Sequence, residues 1–407
     1  MTLPRLAALL SALTLGVALW GLLPPPTYAL LALSVGAPEV GVWLVVIALL
    51  VGGVALAAGR GWLRWVTLLC AAATTLLSLW PLFRFPATAR RFDAAMHMAL
   101  GNDFLCAVPD SIRRQLRPRS LRLAELFTGL RSDVVRVTRG VAVGRVDGIA
   151  LQADIYQPAT LGRFPVVVQI YGGAWQRGAP QDDEAFARYL TAHHYVVVAI
   201  DYRHAPQWQW PAQLVDVRAA LAWVRDHVVE FGGDPTRLAL VGRSSGAQLA
   251  LVAAYTDTLM IRGVISYYGP VDLVDGYDHP PVPDPLDVRA LEEAYLGGTP
   301  TGQPERYRAA SPVSYAAARQ PATLLIYAGR DNVVLPRFGR LLQERLHAGG
   351  TTAVLLEIPW AEHAFDAISA GPSAQLALIE VERFLAWALY GAGATHAKDC
   401  AGGTGRM

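Results

Sequence analysis

The chain has 407 residues, of which 53% are hydrophobic and 17% are charged, and its formal net charge is +2. A mean hydropathy of +0.30 is too high for an ordinary soluble domain and predicts a membrane-embedded part. The nearly balanced charge excludes the basic surface of a nucleic-acid-binding protein and the surface that a polyacidic partner would need.

Residues 1–83 carry almost no charge and contain three apolar runs, at residues 6–23, 40–58 and 62–83. Each run is long enough to cross a bilayer as a helix, and tryptophans lie near the run ends, as in interfacial belts. We therefore predict a multi-pass region in the lipid bilayer of a bacterial-type inner membrane. For the first run, a cleaved signal peptide is the alternative. Residues 28–35 are too short for a fourth span.

The charges beside the runs predict an orientation. Arg60 and Arg64 lie between the second and third runs, whereas the first connection carries only Glu39. The positive-inside rule places Arg60, Arg64 and the N-terminal Arg5 in the cytoplasm and the large C-terminal domain outside it. Arginines directly after the third run argue for the opposite orientation, but long domains translocate with little regard to charge.

Residues 84–130 form a basic connector that is predicted to be partly helical. The arginine-rich segment 112–119 fits both an anionic membrane surface and a solvated linker. At the other end of the chain, residues 391–407 are rich in glycine and are predicted to be disordered.

Residues 131–390 alternate between strand and helix patterns. Continuous apolar strands are typical of buried parallel sheets, and the alternation predicts an α/β fold with helices on both faces of a mostly parallel sheet. The predicted strands are residues 134–143, 149–156, 165–171, 196–200, 238–241, 261–267, 323–327 and 351–358, and the main helices are 182–192, 211–231, 337–347 and 373–389. An insertion at 276–311, between the sixth and seventh strands, is predicted to form a lid or a pocket wall.

The motif Gly242-x-Ser244-x-Gly246 lies between a short apolar strand and a helical run. In this strand–turn–helix context, G-x-S-x-G predicts a nucleophile elbow, a sharp turn that exposes the central serine. The flanking glycines allow close approach of chain and substrate. The central position assigns the nucleophile to Ser244 rather than to Ser245.

A serine nucleophile needs a base, and the base needs an orienting acid. Asp331 follows the strand 323–327, and His363 follows the strand 351–358. In hydrolases with this elbow the chain order is serine, acid, histidine. The carboxyl ends of parallel strands open at one edge of the sheet, so the three side chains are expected to meet there.

The segment Tyr171-Gly172-Gly173-Ala174-Trp175 directly follows the strand 165–170. An oxyanion hole needs preorganised backbone N–H groups, and we predict those of Gly173, Ala174 and Ser245. The alternative is a Gly-Gly turn that serves geometry alone. Tyr171 and Trp175 are predicted to contact the substrate. The three widely separated cysteines fit neither a zinc site nor a disulfide framework, so no metal site is expected.

These motifs resemble those of α/β-hydrolase carboxylesterases of the hormone-sensitive-lipase-like and acetyl- or feruloyl-esterase groups, over residues 131–390. The matching pieces are residues 171–175, in place of His-Gly-Gly-Gly, and 201–206, 232–235, 242–246, 329–331 and 362–363. The resemblance implies ester hydrolysis through a covalent acyl-enzyme without a cofactor. Tyr171 and Ala174 replace a histidine and a glycine of the family pattern, and Arg243 and Ser245 replace an aspartate and an alanine.

The sequence thus predicts an α/β-hydrolase domain preceded by about three transmembrane helices, acting as a membrane-anchored serine hydrolase on a small-molecule or lipid ester. The alternative is an acyltransferase or peptidase that uses the same triad on envelope lipids or peptides. A third hypothesis is a non-enzymatic receptor domain, against which an intact triad argues. Nucleic acid is not an expected partner, and nothing in the sequence indicates the oligomeric state.

Overall fold

The N-terminal region forms four helices: α1 (Leu3–Trp20), α2 (Tyr28–Glu39), α3 (Gly41–Ala58) and α4 (Gly61–Leu100). The structure, a computed structural model, describes residues 2–130 and 134–391, so the predicted tail lies outside the described residues except for Gly391. Within the described chain, α1, α3 and α4 are long and apolar enough to cross a membrane. They correspond to the three predicted spans, and α2 is a short helix between the first two.

The bundle of α1, α3 and α4 has small and hydroxyl-bearing residues inside and large apolar residues outside. The buried positions include Ala7, Ser11, Thr14, Ala48, Gly52, Ala55, Ala71 and Thr74. Leu49, Leu50, Leu69 and Leu76 are each more than 60% exposed. Small residues at helix contacts with leucines facing outward are the pattern of helices that associate in lipid. The bundle surface therefore suits a bilayer.

Helix α4 has 40 residues and continues past the predicted end of the third span at residue 83. Pro81 and Pro86 lie inside it without ending it. Beyond them, Phe85, Phe92 and Met96 pack into a core of the sheet domain. At 1.5 Å per residue the helix is about 60 Å long. The first part of the predicted connector thus belongs to the same helix as the third apolar run.

The rest of the connector contains the short helices α5 (Asp110–Arg113) and α6 (Glu125–Thr128). Arg117 is only 4% exposed, and its guanidinium pairs with Glu125 and donates to Gln375 at 2.9 Å. Its backbone N–H donates to Glu382 at 2.9 Å. Arg117 therefore packs on the sheet domain. At this residue the segment is neither a solvated linker nor a contact with a membrane surface, so both alternatives are wrong there.

The sheet has eight strands: β1 (Val135–Val146), β2 (Ile149–Pro158), β3 (Phe164–Ile170), β4 (Val196–Ile200), β5 (Gly233–Arg243), β6 (Ile261–Tyr267), β7 (Ala322–Ala328) and β8 (Ala353–Ile358). Their order is β1-β2-β4-β3-β5-β6-β7-β8. The pairs β1–β2 and β2–β4 are antiparallel, and all other pairs are parallel. The mostly parallel sheet predicted from the sequence is confirmed.

The helices of this domain are α7 (Glu184–Ala192), α8 (Ala212–His227), α9 (Ser245–Thr256), α10 (Leu273–Asp278), α11 (Val288–Leu296), α12 (Pro304–Ala310), α13 (Arg337–Ala348) and α14 (Pro372–Ala386). Side chains alternate across a strand. In β3, Val166 and Val168 therefore join the core with α8, α9 and α13, whereas Val167 joins the opposite core with α4, α7 and α14. Both faces of the sheet are covered.

Candidate active site

The turn between β5 and α9 places Ser244 at the carboxyl edge of the sheet. Its φ of 51° and ψ of −121° are costly for a residue with a side chain, and such strain is typical of functional turns. A Cβ on Gly246 would overlap the carbonyl oxygens of Ile170 and Tyr171, and one on Gly242 would overlap the backbone of Gly246 and Ala247. The two glycines are therefore what permits this turn, as the motif predicted.

A chain of hydrogen bonds joins the three predicted residues. The Oγ of Ser244 lies 3.0 Å from Nε2 of His363, and Nδ1 of His363 lies 2.8 Å from Oδ2 of Asp331. The other carboxylate oxygen of Asp331, Oδ1, accepts hydrogen bonds from the backbone N–H groups of Val333 and Val334 at 2.8 and 2.7 Å. This arrangement lets His363 take a proton from Ser244 while Asp331 orients the ring.

The surroundings of His363 favour its protonated form. Burial lowers the pKa of His363, but the charge of Asp331 and its hydrogen bond to the ring outweigh burial, and the pKa is raised above the usual 6.5. The ring of Tyr268 packs against the imidazole with 4.6 Å between ring centroids. A histidine whose positive form is stabilised in this way is suited to receive and return a proton.

A second carboxylate, Glu362, connects the loops that carry Asp331 and His363. Its Oε1 accepts hydrogen bonds from the backbone N–H of Asn332 at 2.6 Å and of His363 at 2.9 Å. Its Oε2 accepts from the side chain of Asn332 at 2.7 Å. Burial raises the pKa of Glu362. In the sequence this residue stood out only as part of the Glu362-His363 motif, and its bridging contacts are visible only in three dimensions.

The loop after β3, where the oxyanion hole is predicted, has an unusual backbone conformation. Gly173, Ala174 and Trp175 have φ values of 134°, 54° and 59°. This left-handed run turns the chain sharply beside Ser244. Across the described residues, the backbone N–H groups of Gly173, Ala174 and Ser245 donate to no other backbone group. The prediction that they bind a substrate oxyanion is compatible with this lack of a backbone acceptor.

A cavity of about 820 Å³ opens beside Ser244 and His363. The predicted insertion contributes Pro281, Leu286 and Leu291 to its lining, and mostly apolar residues surround it. A further wall comes from α2, which the sequence had marked only as too short to be a span. The sequence could not predict this wall, because the pattern of apolar residues in a short helix does not show which distant segments the helix will contact.

The two predicted substrate-contact residues are placed differently from each other. Tyr171 does not line the cavity, contrary to prediction, because its hydroxyl is turned away and donates to Asp201 at 2.5 Å. Trp175 does contribute to the lining. Its indole, however, is stacked on Tyr295 at 4.1 Å and donates to Gln248 at 2.9 Å. Both side chains support the loop that carries Gly173 and Ala174.

Arg243, beside the nucleophile, anchors the segment after His363. Its guanidinium lies 2.6 Å from Asp366 and 3.2 Å from Asp183, and it stacks on the rings of Phe186 and Tyr267. This role explains why arginine is compatible with a position where the family pattern has aspartate. In residues 2–130 and 134–391, no group of three or more histidine, cysteine, aspartate or glutamate side chains is placed to hold a metal ion.

Comparisons with known proteins show which proteins this chain is similar to. The BD-FAE family model matches residues 153–346. The probable carboxylic ester hydrolase LipM of Mycobacterium tuberculosis is 32% identical over 257 residues, which cover 59% of this chain and 58% of that protein. The esterase LipQ of the same organism is 32% identical over 220 residues, covering 50% and 51%. The chain thus spans between half and three-fifths of the length of these curated relatives.

Two solved structures show the same fold. The hyperthermophilic esterase of Pyrobaculum calidifontis aligns with a TM-score of 0.56 at 23% identity, covering 63% of this chain and 88% of that one. A thermostable esterase of Pseudomonas putida aligns with a TM-score of 0.53 at 20% identity, covering 69% and 87%. The chain therefore has the α/β-hydrolase fold, and the predicted resemblance to carboxylesterases is confirmed.

Proposed function

We propose that this α/β-hydrolase is a membrane-anchored serine esterase that cleaves carboxylic esters through an acyl-enzyme. The observation that carries the proposal is the unbroken hydrogen-bonded chain from Ser244 through His363 to Asp331 on a nucleophile elbow. The relatives described above are named as esterases or ester hydrolases. Those names favour hydrolysis over the acyl transfer or peptide cleavage that the sequence left open.

In the first half of the reaction, Ser244 Oγ attacks the ester carbonyl carbon while His363 Nε2 takes its proton. The oxyanion that forms accepts hydrogen bonds from the N–H groups of Gly173, Ala174 and Ser245. The bond to the alcohol oxygen then breaks, and His363 returns the proton to that oxygen. The products of this half are the free alcohol and an acyl group on Ser244.

In the second half, His363 takes a proton from a water molecule as the water oxygen attacks the acyl carbon. The bond to Ser244 Oγ breaks, Oγ regains the proton from His363, and the carboxylic acid leaves. Throughout, Asp331 keeps the Nδ1–H of His363 directed towards itself, so that Nε2 faces the reacting atoms.

The membrane part of the proposal rests on the bundle of α1, α3 and α4. Its outward leucines would be costly in water and suit lipid. Gly41, at the start of α3, packs against the backbone of Ser78 in α4. Arg60, between α3 and α4, and Arg64, near the start of α4, therefore lie at the opposite end of the bundle from the sheet domain. By the positive-inside rule, that end is cytoplasmic and the catalytic domain is extracytoplasmic.

Labelling with a fluorophosphonate, which reacts with activated serines, tests the proposal on the full-length protein in detergent. Ser244→Ala should abolish both labelling and hydrolysis of p-nitrophenyl butyrate. Ser245→Ala is the matched control, because it keeps the backbone N–H and should retain measurable labelling and turnover. Loss of labelling in Ser245→Ala together with retention in Ser244→Ala would contradict the assignment.

A further inference from the structure

The edge of the sheet that carries the triad faces the ends of the candidate spans. The guanidinium of Arg330, next to Asp331, donates to the carbonyl oxygens of Gly21 and Leu22 at the end of α1. Trp360, three residues before His363, lines a small cavity together with Trp80 of α4. The loops that hold the catalytic acid and base therefore contact the bundle at the level where its helices leave the apolar region.

Helix α2 connects the end of α1 to the start of α3 and also forms a wall of the substrate cavity. Leu31, Val35 and Gly36 line the same cavity as Ser244. The ring of Tyr28, at the start of α2, lies 4.9 Å from the guanidinium of Arg177 in the loop after the oxyanion residues.

The other end of α2 is attached to the catalytic domain as well. The carboxylate of Glu39 accepts a hydrogen bond from the backbone N–H of Ser373 at 3.0 Å, in the first turn of α14. The chain on either side of α2 continues into α1 and α3. This wall of the cavity is therefore held at the end of the apolar bundle, where the bilayer surface is proposed to lie. A substrate that lies along α2 is therefore already at the bilayer surface.

The size and chemistry of the cavity indicate what it accommodates. Its volume of about 820 Å³ lies in the upper part of the range of about 300–1,000 Å³ that is usual for small-molecule sites. Leu31 and Val35 on α2 line the cavity together with Leu286 and Leu291 of the insertion, and charged residues such as Asp183 and Arg243 line another part of it. The apolar side chains of α2 and of the insertion favour a hydrocarbon chain, because such a chain is removed from water when it binds.

We infer that the substrate is a membrane-resident amphiphile, an ester with a long hydrocarbon chain, which reaches Ser244 from the bilayer surface along α2. The inference rests on the proposed ester hydrolysis and specifies its substrate class. The reaction consumes one water molecule and releases a fatty acid or a long-chain alcohol, according to which side of the ester carries the chain.

The test compares two esters on the full-length protein reconstituted in phosphatidylcholine vesicles: p-nitrophenyl palmitate within the vesicles and soluble p-nitrophenyl acetate. Val35→Gln places an amide in the wall of the cavity. It should lower the palmitate-to-acetate ratio of kcat/KM by about tenfold or more, because the chain would leave that amide unpaired. Leu33→Gln is the matched control, since Leu33 lies on the same helix, is 39% exposed and is not among the residues of the cavity wall.

The outcomes separate this inference from the proposed function. A ratio that changes less than about twofold in Val35→Gln, or an equal fall in Leu33→Gln, would overturn the inference while acetate hydrolysis upholds the esterase. A wild-type protein that prefers the acetate ester would also overturn it. Fluorophosphonate labelling of Ser244 verifies that each variant has a folded site, and a wild type that neither labels nor cleaves acetate overturns both proposals.

Discussion

Replacing Asp331 by asparagine should disable the base without moving it. Oδ1 of Asp331 accepts two backbone N–H groups, from Val333 and Val334, and only an oxygen can do so. An asparagine would keep its oxygen there and direct its NH₂ group at Nδ1 of His363. Nδ1 would then become an acceptor, and the ring proton would move to Nε2. In that tautomer His363 donates to Ser244 and can no longer take its proton.

The size of the expected loss follows from this reversal. The corresponding exchange in the well-studied serine-protease triad lowers kcat by about 10⁴, which corresponds to about 5.5 kcal/mol in the activation free energy. Because Asp331 likewise orients the catalytic histidine through a hydrogen bond to Nδ1, we expect a loss of about 10³–10⁴ in kcat for p-nitrophenyl butyrate. The rate of fluorophosphonate labelling should fall in parallel, whereas the thermal unfolding temperature should change little.

Glu362→Gln is the matched control for removal of a buried carboxylate beside the same histidine. Glu362 contacts the backbone N–H of His363 and not its ring, so the variant should lose less than about tenfold in kcat. If Glu362→Gln lost as much activity as Asp331→Asn, or if Asp331→Asn lost less than tenfold, the assignment of Asp331 as the orienting acid would be refuted.

Two further predictions concern pH. Because the pKa of His363 is raised above 6.5 and the base must be neutral, kcat/KM should rise with pH through an inflection above 6.5; a profile that is flat from pH 6.5 upward would contradict this. Burial raises the pKa of Glu39 from 4.5 to about 8, so the folded protein holds a proton that the unfolded chain releases, and this contribution to stability is lost as pH rises from 4.5 towards 8. Glu39→Gln, which resembles the protonated form, should therefore match the wild type in thermal unfolding near pH 4.5 and exceed it near pH 8; lower stability than wild type near pH 8 would show that the charged carboxylate is needed at α14.

The sheet and the proximity of Ser244, Asp331 and His363 were predictable because their signals are local. Each of Ser244, Asp331 and His363 directly follows an apolar strand in the sequence, and the rule that parallel strands end at one edge brings the three together. The glycine spacing of the elbow is likewise a local requirement of one turn. No knowledge of distant contacts was needed to place these residues.

The features that sequence reasoning missed depend on contacts between distant segments. The third apolar run ends at residue 83 in the sequence, yet α4 continues to Leu100, and Phe85 and Phe92 of this continuation pack on the sheet domain. Tyr171 was assigned to the substrate from its neighbours in the chain, but its hydroxyl bonds with Asp201, thirty residues away. In each case a tertiary contact outweighed the local pattern.

The unbroken course of α4 has a consequence for how the enzyme would meet its substrate. Each residue of an α-helix turns the chain by about 100° and advances it by 1.5 Å, so in the proposed membrane-anchored protein α4 would fix both the height and the direction of the catalytic domain above the bilayer. A domain held in this way samples the two-dimensional surface beneath it rather than a volume of solution. Its turnover would then follow the surface density of ester in one leaflet, and dilution of the vesicles at constant lipid composition would leave the rate per enzyme unchanged.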